Sequence, residues 1–394
     1  MTSEERHEAR YQRRKQRRRE KYLAKFENEL CFEKIFEFEH LYKSFKKCCN
    51  GVNWKASTQR YKANAIVHVA STHKQLQEGK YRSKGFYEFD IMERGKPRHI
   101  QSVHINERVV QKCFCDYSLV KVLSNSFIYD NGASLKNKGV DFSMNRLREH
   151  LHRYYREYGT NKGYVLQFDF SKYFERIVHS HLFEQLDKKF DDAKIRNLLH
   201  HFIDMFGDCG LGLGSQVSQI CALLYPNKID HICKEKLHIK YYGRYMDDGY
   251  LIHPDKEYLK YCLTVIQQLC DELGIQLNVK KTQITRIDKP FIFLKHRFCL
   301  TATGKIICKP RKHCATDYRH KFNKLQLKYQ NKRIDLKDIQ QTLQSILGHL
   351  KKSNSYDIQR QLYWYCQQLF NNQLQIKGGV RYRPLFYFYQ YMFL

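Results

Sequence analysis

The chain has 394 residues, carries 70 Lys+Arg against 40 Asp+Glu for a formal charge of +30, and is 42% hydrophobic and 14% aromatic. That length allows two or three domains, or one large multi-lobed domain, and the composition excludes a disordered chain. No apolar stretch reaches the ~18–20 residues that span a bilayer, and no apolar leader opens the chain, so a basic cytoplasmic protein with a polyanion partner is expected.

Between Arg10 and Lys25 stand nine Lys/Arg and one acid, Glu20. Ahead of them Thr2-x-x-Glu5 is a capping-box pattern, and Glu4, Glu5 and Glu8 suit a helix N-terminus. A basic helix or tail is expected there, either solvated or laid on phosphates through Arg13, Arg14, Arg17 and Arg18. From Tyr81 to Ile105 the pattern is strand-like, with Phe86, Tyr87, Phe89 and Ile91 ahead of a Gly95-Lys96-Pro97-Arg98 turn. A polar loop near Asn131–Asp141 precedes a helical run, Met144–Tyr155, and Tyr164–Phe170 reads as a buried strand. Helices are predicted over His181–Phe190 and Ile195–Phe206, the second with Ile195, Leu198, Leu199, Phe202, Ile203 and Phe206 on one face.

Glycines from Gly207 to Gly214 break the helices, and an apolar helix is predicted over Ser218–His231. A hairpin follows: Lys240–Tyr245, a Met246-Asp247-Asp248 turn, and Gly249–His253. Beyond the helix Glu257–Leu273, strands are predicted at Gln276–Val279 and Phe291–Phe298. From Lys305 to Leu394 there are 17 Lys/Arg, 4 Asp and no Glu, with helical spacing at Leu336, Ile339, Leu343, Ile346, Leu347 and Leu350. The 14 cysteines include no C-x-x-C. A structural zinc or a disulfide framework is not expected, and most cysteines read as small buried hydrophobes.

Three acids stand out. Asp169 lies inside an apolar strand, and Asp247-Asp248 sit at a hairpin tip with apolar flanks. A buried carboxylate needs compensation, which a shared Mg²⁺ supplies through oxygen ligands. An Asp-Asp turn by itself carries little information. Its context carries more: Tyr245-Met246-Asp247-Asp248 resembles the YxDD box of reverse transcriptases, and Phe168-Asp169-Phe170-Ser171-Lys172-Tyr173-Phe174 resembles their first palm motif. Gly210–Gln219 is similar to the frame of their G-x-P-Q-G-S-P-x-S-P motif. Leu273-Gly274-Ile275-x-Leu277-Asn278-x-Lys280-Lys281-Thr282 resembles the next motif, and Phe291–His296 the primer grip, with Lys295 where Gly is usual. Gly95-Lys96-Pro97-Arg98-x-Ile100 and Glu107–Gln111 resemble the fingers signatures of bacterial members. The resemblance runs in collinear order over roughly residues 80–370.

The resemblance implies an α+β, right-hand polymerase fold: a basic N-terminal arm at 1–30, fingers at 31–163, a palm with an antiparallel sheet at 164–304 (fingers helices inserted around 181–210), and a helical basic thumb with an aromatic tail at 305–394. It implies an RNA-directed DNA polymerase with two Mg²⁺, for which Mn²⁺ can substitute. Asp169, Asp247 and Asp248 would hold the metals, helped by the Phe170 carbonyl, and Lys281 is a candidate donor to the leaving pyrophosphate. Lys96 and Arg98 would grip the dNTP triphosphate, and Phe174 would exclude a 2′-hydroxyl. Leu213, Gly214 and Gln219 would complete the dNTP site, and Phe293, Leu294, Lys295 and His296 the primer grip. Arg13, Arg14, Arg17 and Arg18 would contact RNA.

The departures narrow the kind. Leu213–Gln219 fits the L/I-G-x-x-x-S-Q form of diversity-generating retroelement enzymes, where an aliphatic Leu213 in place of glutamine implies relaxed template reading. Asn64-Ala65-x-x-His68 matches a retron signature but lies ahead of the fingers motifs, and no V-T-G occurs, so a retron is not expected. Nor is an RNase H, maturase–endonuclease or integrase domain expected after the thumb. Two bacterial or phage-encoded kinds remain: a retroelement enzyme with an accessory protein, or a defence-associated enzyme copying a noncoding RNA. The partners implied are a structured RNA, cDNA and dNTP, with an accessory protein or a homo-oligomer and no membrane. The alternative from another class is a catalytically silent RNA-binding scaffold. Six of the last nine residues are Tyr/Phe, an aromatic tail suited to packing on the thumb or a partner, or to base stacking.

Overall fold

The computed structural model describes residues 2–93 and 96–375, without the side chains of Glu93 and Lys96. The aromatic tail and Gly95 lie outside the described residues. Helix α1 (Ser3–Lys25) starts where the capping box places it: the Thr2 hydroxyl accepts from the Glu5 amide, and the Glu5 carboxylate accepts from the Thr2 amide at 2.7 Å. It buries no side chain. Its final turns are held by polar contacts, with Arg19 donating to the Lys188 carbonyl (3.1 Å) and pairing with Asp191, and the Tyr22 hydroxyl donating to the Lys189 carbonyl (2.9 Å).

Helices α2 (Phe32–Ile35), α3 (Phe38–Cys49), α4 (Ala56–Ala63) and α5 (Ala65–Gln77) precede an antiparallel hairpin of β1 (Phe86–Glu93) and β2 (Lys96–Val103). Helix α6 (Ile105–Phe114) runs through a π-helical turn into α7 (Val120–Ser124), and α8 (Val140–Tyr158) leads to β3 (Tyr164–Phe168). After α9 (His179–Asp187), α10 (Ala193–Asp204) is capped by Asp192 and buries Ile195, Leu198, Leu199, Phe202 and Ile203, the face its periodicity predicts.

The single helix predicted over Ser218–His231 is instead two, α11 (Gln216–Leu224) and α12 (Asn227–His231). Pro226 has no N–H for the Ala222 carbonyl, which accepts from the Tyr173 hydroxyl instead. The chain continues through β4 (Tyr241–Tyr245), β5 (Asp248–His253), α13 (Lys256–Glu272), β6 (Gln283–Arg286), β7 (Phe291–Phe293), β8 (His296–Leu300) and β9 (Ile306–Pro310) to α14 (Cys314–Gln330), α15 (Leu336–Leu350) and α16 (Tyr356–Leu369).

The sheets are β1-β2, β4-β5-β3-β6 and β7-β8-β9. Two predicted strands are corrected. Gln276–Val279 contributes only an isolated antiparallel bridge between Leu277 and Phe170, because Asn278 starts a turn whose carbonyl accepts from Lys281 and Thr282. Phe291–Phe298 is two strands, folded at Leu294 (φ 47°) and Lys295 (φ 67°). That two-residue turn favours Asn-Gly, and without those residues the apolar run hides it.

The chain divides into two compact units, Met1–Gly139 with Gln167–Tyr250 and Lys260–Gln283, and Val140–Leu166 with Leu251–Leu259 and Ile284–Leu394. The first holds aromatic contacts such as Phe36–Phe114 (5.9 Å between rings) and Phe114–Phe190 (6.2 Å) among its buried residues. In the second, Phe322, Ile339, Leu343, Leu347, Leu350, Leu362 and Cys366 form the shared core of α14, α15 and α16. Each fully buried leucine there stabilises the packing by roughly 1.5–3 kcal/mol. All 14 cysteines are free, and ten of them are buried.

Candidate active site

Asp169 directly follows β3 and is 4% exposed. Its carbonyl accepts from the Asn278 amide at 2.7 Å, and the Ser171 amide donates to the Gln276 carbonyl at 2.7 Å. These bonds and the Phe170–Leu277 bridge tie the segment around Asn278 to the aspartate. The Asn278 side-chain amide donates to Asp169 Oδ2 (3.2 Å), and Lys281 Nζ lies 2.8 Å from both carboxylate oxygens.

The other two acids come from the β4–β5 hairpin. Met246 takes a left-handed conformation (φ 54°), and the turn it makes delivers Asp247 and Asp248. One carboxylate oxygen from each of Asp169, Asp247 and Asp248 lies within 4.8 Å of the others. Close approach of the hairpin to β3 requires glycine after the acids: a Cβ at Gly249 would stand 2.1 Å from the Phe168 ring.

Arg244 fixes this hairpin from below. It is 1% exposed and forms a bidentate pair with the fully buried Asp230, Nε to Oδ1 at 2.7 Å and Nη2 to Oδ2 at 2.6 Å. Its Nη1 donates to the Met246 carbonyl (2.8 Å), and its Nη2 to the Leu223 carbonyl (3.0 Å). The Tyr242 hydroxyl also donates to Asp230 Oδ1 (2.6 Å). A buried pair with its remaining hydrogen-bond positions filled is the arrangement that makes a buried charge tolerable.

Crowding three carboxylates has an electrostatic cost. Burial pushes the Asp248 carboxyl up to about 7, assisted by the charge of Asp247 and by Asp169. Burial and the Asp169 charge raise Asp247 as well, against the opposing pull of Lys281 and Arg98. Burial works to lower the Lys281 ammonium, but its hydrogen bond to Asp169 and the three carboxylate charges raise it. The cluster therefore calls for positive charge, and its donors are all hard oxygens. That set suits Mg²⁺ or Mn²⁺ rather than a soft-ligand metal.

Beside the acids opens a cleft of about 510 Å³ lined by Arg98, Phe174, Leu213, Gly214, Gln219 and Tyr245, among others. Phe174 packs edge-on against Tyr173 at 5.7 Å. The Leu213 carbonyl accepts from the Gln101 amide (3.2 Å), which ties the glycine segment to β2. Gly210 holds the other end: its φ is 86°, and a Cβ there would press on the Glu175 backbone at 3.2 Å. Ser215 caps α11 and donates to Gln111 Oε1 at 2.9 Å.

The cleft thus gathers Arg98, Phe174, Leu213, Gly214 and Gln219 from the predicted nucleotide residues. Lys96 begins β2, and its side chain lies outside the described set. Phe293, Leu294, Lys295 and His296 belong to the second unit, at the β7–β8 turn. There His296 is buried against His349 at 5.2 Å and bonds the Leu294 carbonyl. Arg13, Arg14, Arg17 and Arg18 lie exposed on α1. Sequence reasoning missed Arg244, Asp230 and Ser134, which also lines the cleft. For Arg244 a signal existed, a lone arginine inside an apolar strand just ahead of the acidic turn.

Three clustered aspartates at a sheet end, beside the cleft and within an α+β fold, form a site whose hard oxygen donors suit a divalent cation. The chain belongs to the reverse transcriptase (RNA-dependent DNA polymerase) family, whose model matches residues 84–298. Among solved structures, telomerase from Candida albicans, in complex with a fragment of telomeric RNA, is similar at 12% identity and TM-score 0.45, with 79% of this chain and 66% of that one covered. Apo telomerase from Candida tropicalis is similar at 15% identity and TM-score 0.45, covering 78% and 62%. The same protein truncated of its C-terminal domain gives 16%, 0.43, 61% and 60%. The chain therefore spans under two thirds of the length of these telomerases. None of the curated proteins compared matches it. Among the described residues, no helix is long and apolar enough to cross a membrane.

Proposed function

We propose that the chain copies RNA into DNA, with Asp169, Asp247 and Asp248 holding two Mg²⁺. The observation that carries this reading is the set of three carboxylates within 4.8 Å of one another beside the cleft that Arg98 and Phe174 line. When bound, the ions would lower the pKa of the primer 3′-hydroxyl and neutralise the leaving pyrophosphate. The protein's own groups would do the rest. Arg98, with Lys96, would grip the triphosphate through charge-assisted bonds. Phe174 would press against the sugar where a 2′-hydroxyl would project. Leu213, Gly214 and Gln219 would border the nascent base pair, Leu213 offering it no side-chain hydrogen bond.

Lys281, which neutralises Asp169 in the free chain, would turn to the pyrophosphate as the P–O bond breaks. The β7–β8 turn would serve as primer grip, and the segments 31–163, 164–304 and 305–394 as fingers, palm and thumb. The template would be a structured RNA bound in part by the arginines of α1. The role is retroelement mutagenesis or anti-phage defence, and the neighbouring genes separate the two: a variable target gene with a template repeat, or a lone operon with a noncoding RNA. The direct test is dNTP incorporation on primed RNA with Mg²⁺, against the double variant D247A/D248A. Incorporation should fall at least a thousandfold in the variant. Equal signal would leave an RNA-binding scaffold.

A further inference from the structure

Helix α6 carries a buried polar face that the acids and the cleft leave unexplained. Glu107 and Gln111 stand one turn apart and are 1% and 3% exposed. Burial pushes the Glu107 carboxyl up, and hydrogen bonds from Ser83, Gln111 and the Lys84 backbone pull it back. A buried carboxylate without donors is costly, so these three groups fix its orientation. The Ser83 hydroxyl donates to Glu107 Oε2 and accepts from the Gly85 amide (3.2 Å), just ahead of β1.

Glu107 in turn orients Gln111. Carboxylate oxygens accept, so Gln111 turns its NH₂ to Glu107 Oε1 (3.3 Å) and keeps its carbonyl for the other side. That carbonyl accepts from the Ser215 hydroxyl at 2.9 Å. Ser215 is 2% exposed, and its hydroxyl oxygen accepts from the Ser218 amide (3.3 Å). Its backbone carbonyl accepts from the Gln219 amide (3.3 Å). The bonds form a relay with one direction, from Ser215 to Gln111 to Glu107. Two walls of the nucleotide cleft hang on it. Ser83 and Lys84 lead into the hairpin whose β2 carries Arg98 and Ile100. Ser215 follows Leu213 and Gly214 and opens the helical turn that presents Gln219. All of these except Ser83, Lys84 and Ser215 line the cleft.

We infer that Gln111 is a positioning residue for the nucleotide cleft, transmitting the orientation of Glu107 to Ser215 and so fixing the wall of Leu213, Gly214 and Gln219 against the wall of Arg98. The inference rests on reading that cleft as the dNTP site. Gln111 acts on binding rather than on the acids, which are held by separate bonds through Asn278 and Arg244. A misaligned wall weakens nucleotide binding and leaves the turnover of bound nucleotide nearly as it was.

The test exchanges the two side chains in the full chain. In Q111E a second carboxylate faces Glu107, and KM for dNTP on primed RNA should rise about tenfold with kcat within about twofold, the effect of one broken buried hydrogen bond on binding alone. The double variant E107Q/Q111E rebuilds the relay with its amide one turn earlier. The amide at 107 donates to the carboxylate at 111, which still accepts from Ser215. Its KM should return to within about twofold of the unaltered value, since the two changes compensate. A mere packing role would not separate the single from the double variant, because the side-chain volumes match. S215A breaks the relay from the other side and should raise KM to a similar extent, which serves should Q111E fail to fold. Hydrogen exchange of the amides of 211–219 follows the relay without nucleotide: about tenfold faster in Q111E, and restored in the double variant. An unchanged KM in Q111E, or a double variant no better than Q111E, overturns the inference. An unaltered chain that incorporates no dNTP sinks the polymerase reading instead, and the exchange rates then decide the relay on their own.

Discussion

At the scale of single residues, the acidic cluster and its neighbours make opposing demands. The Asp248 carboxyl stands at about 7 in the metal-free fold against an ordinary value of 3.8, so between those values the folded chain binds more protons than the unfolded one. Stability of the metal-free chain contributed by this group is therefore full below about pH 4 and is lost as pH rises through 7. Asp248→Asn should raise the unfolding temperature of the metal-free protein at pH 8 and leave it nearly unchanged at pH 4, while abolishing incorporation. The same proton competes with the cation, so the Mg²⁺ concentration for half-maximal incorporation should rise up to about tenfold per unit below pH 7. A flat Mg²⁺ requirement from pH 6 to 8 would contradict it. Phe174 makes a steric demand. On the proposed reading Phe174 stands against the sugar, so with Phe174→Val the preference for dNTP over rNTP should drop by roughly 10- to 200-fold, as for other pocket-filling differences. Competition assays with paired substrates measure it directly.

At the scale of elements, the acids are only as well placed as the β4–β5 hairpin. Arg244 reaches from β4 to Asp230 in α12 and to the Met246 carbonyl in the turn, so one side chain couples a helix, a strand and the acidic turn. Arg244→Lys keeps a charge but loses the planar fork. The expected result is a loss of about 3 kcal/mol or more in stability, because the buried partner charge is left poorly paired. In whatever protein folds, kcat should fall with little change in KM for dNTP, which steady-state kinetics will show. This element also marks the limit of what sequence conveys. Asp169 was legible because a carboxylate in an apolar strand demands a reason, and the Tyr245–Asp248 turn because tight turns and paired acids are local. The Arg244–Asp230 pair was not, since a contact across 14 positions leaves no periodic trace. Strand β6, exposed at both ends and half-exposed between, lacks the alternation that reveals strands, and the Leu294-Lys295 turn lacks the residues that announce one.

For the whole molecule, the charge of +30 is distributed rather than diffuse. The arm projects its arginines from a helix fastened at one end by Arg19 and Tyr22, and the cleft beside the acids has its own cation in Arg98. Substituting Arg13, Arg14, Arg17 and Arg18 together with Ala should lower the salt dependence of RNA binding, reducing the log–log slope by up to about four. The unfolding temperature should stay put, because the helix buries no side chain. Titrations at several salt concentrations check both. An unaltered slope would mean that the arm is merely solvated.

The buried ion pair also constrains how such a chain can change over generations. Replacing Asp230 or Arg244 alone strands a charge in the core, and exchanging both for apolar residues orphans the Met246 and Leu223 carbonyls and the Tyr242 hydroxyl that the pair now satisfies. A lineage therefore leaves this arrangement only by several changes at once. Positions 230 and 244 should drift as one unit, even where the surrounding strand and helix vary freely.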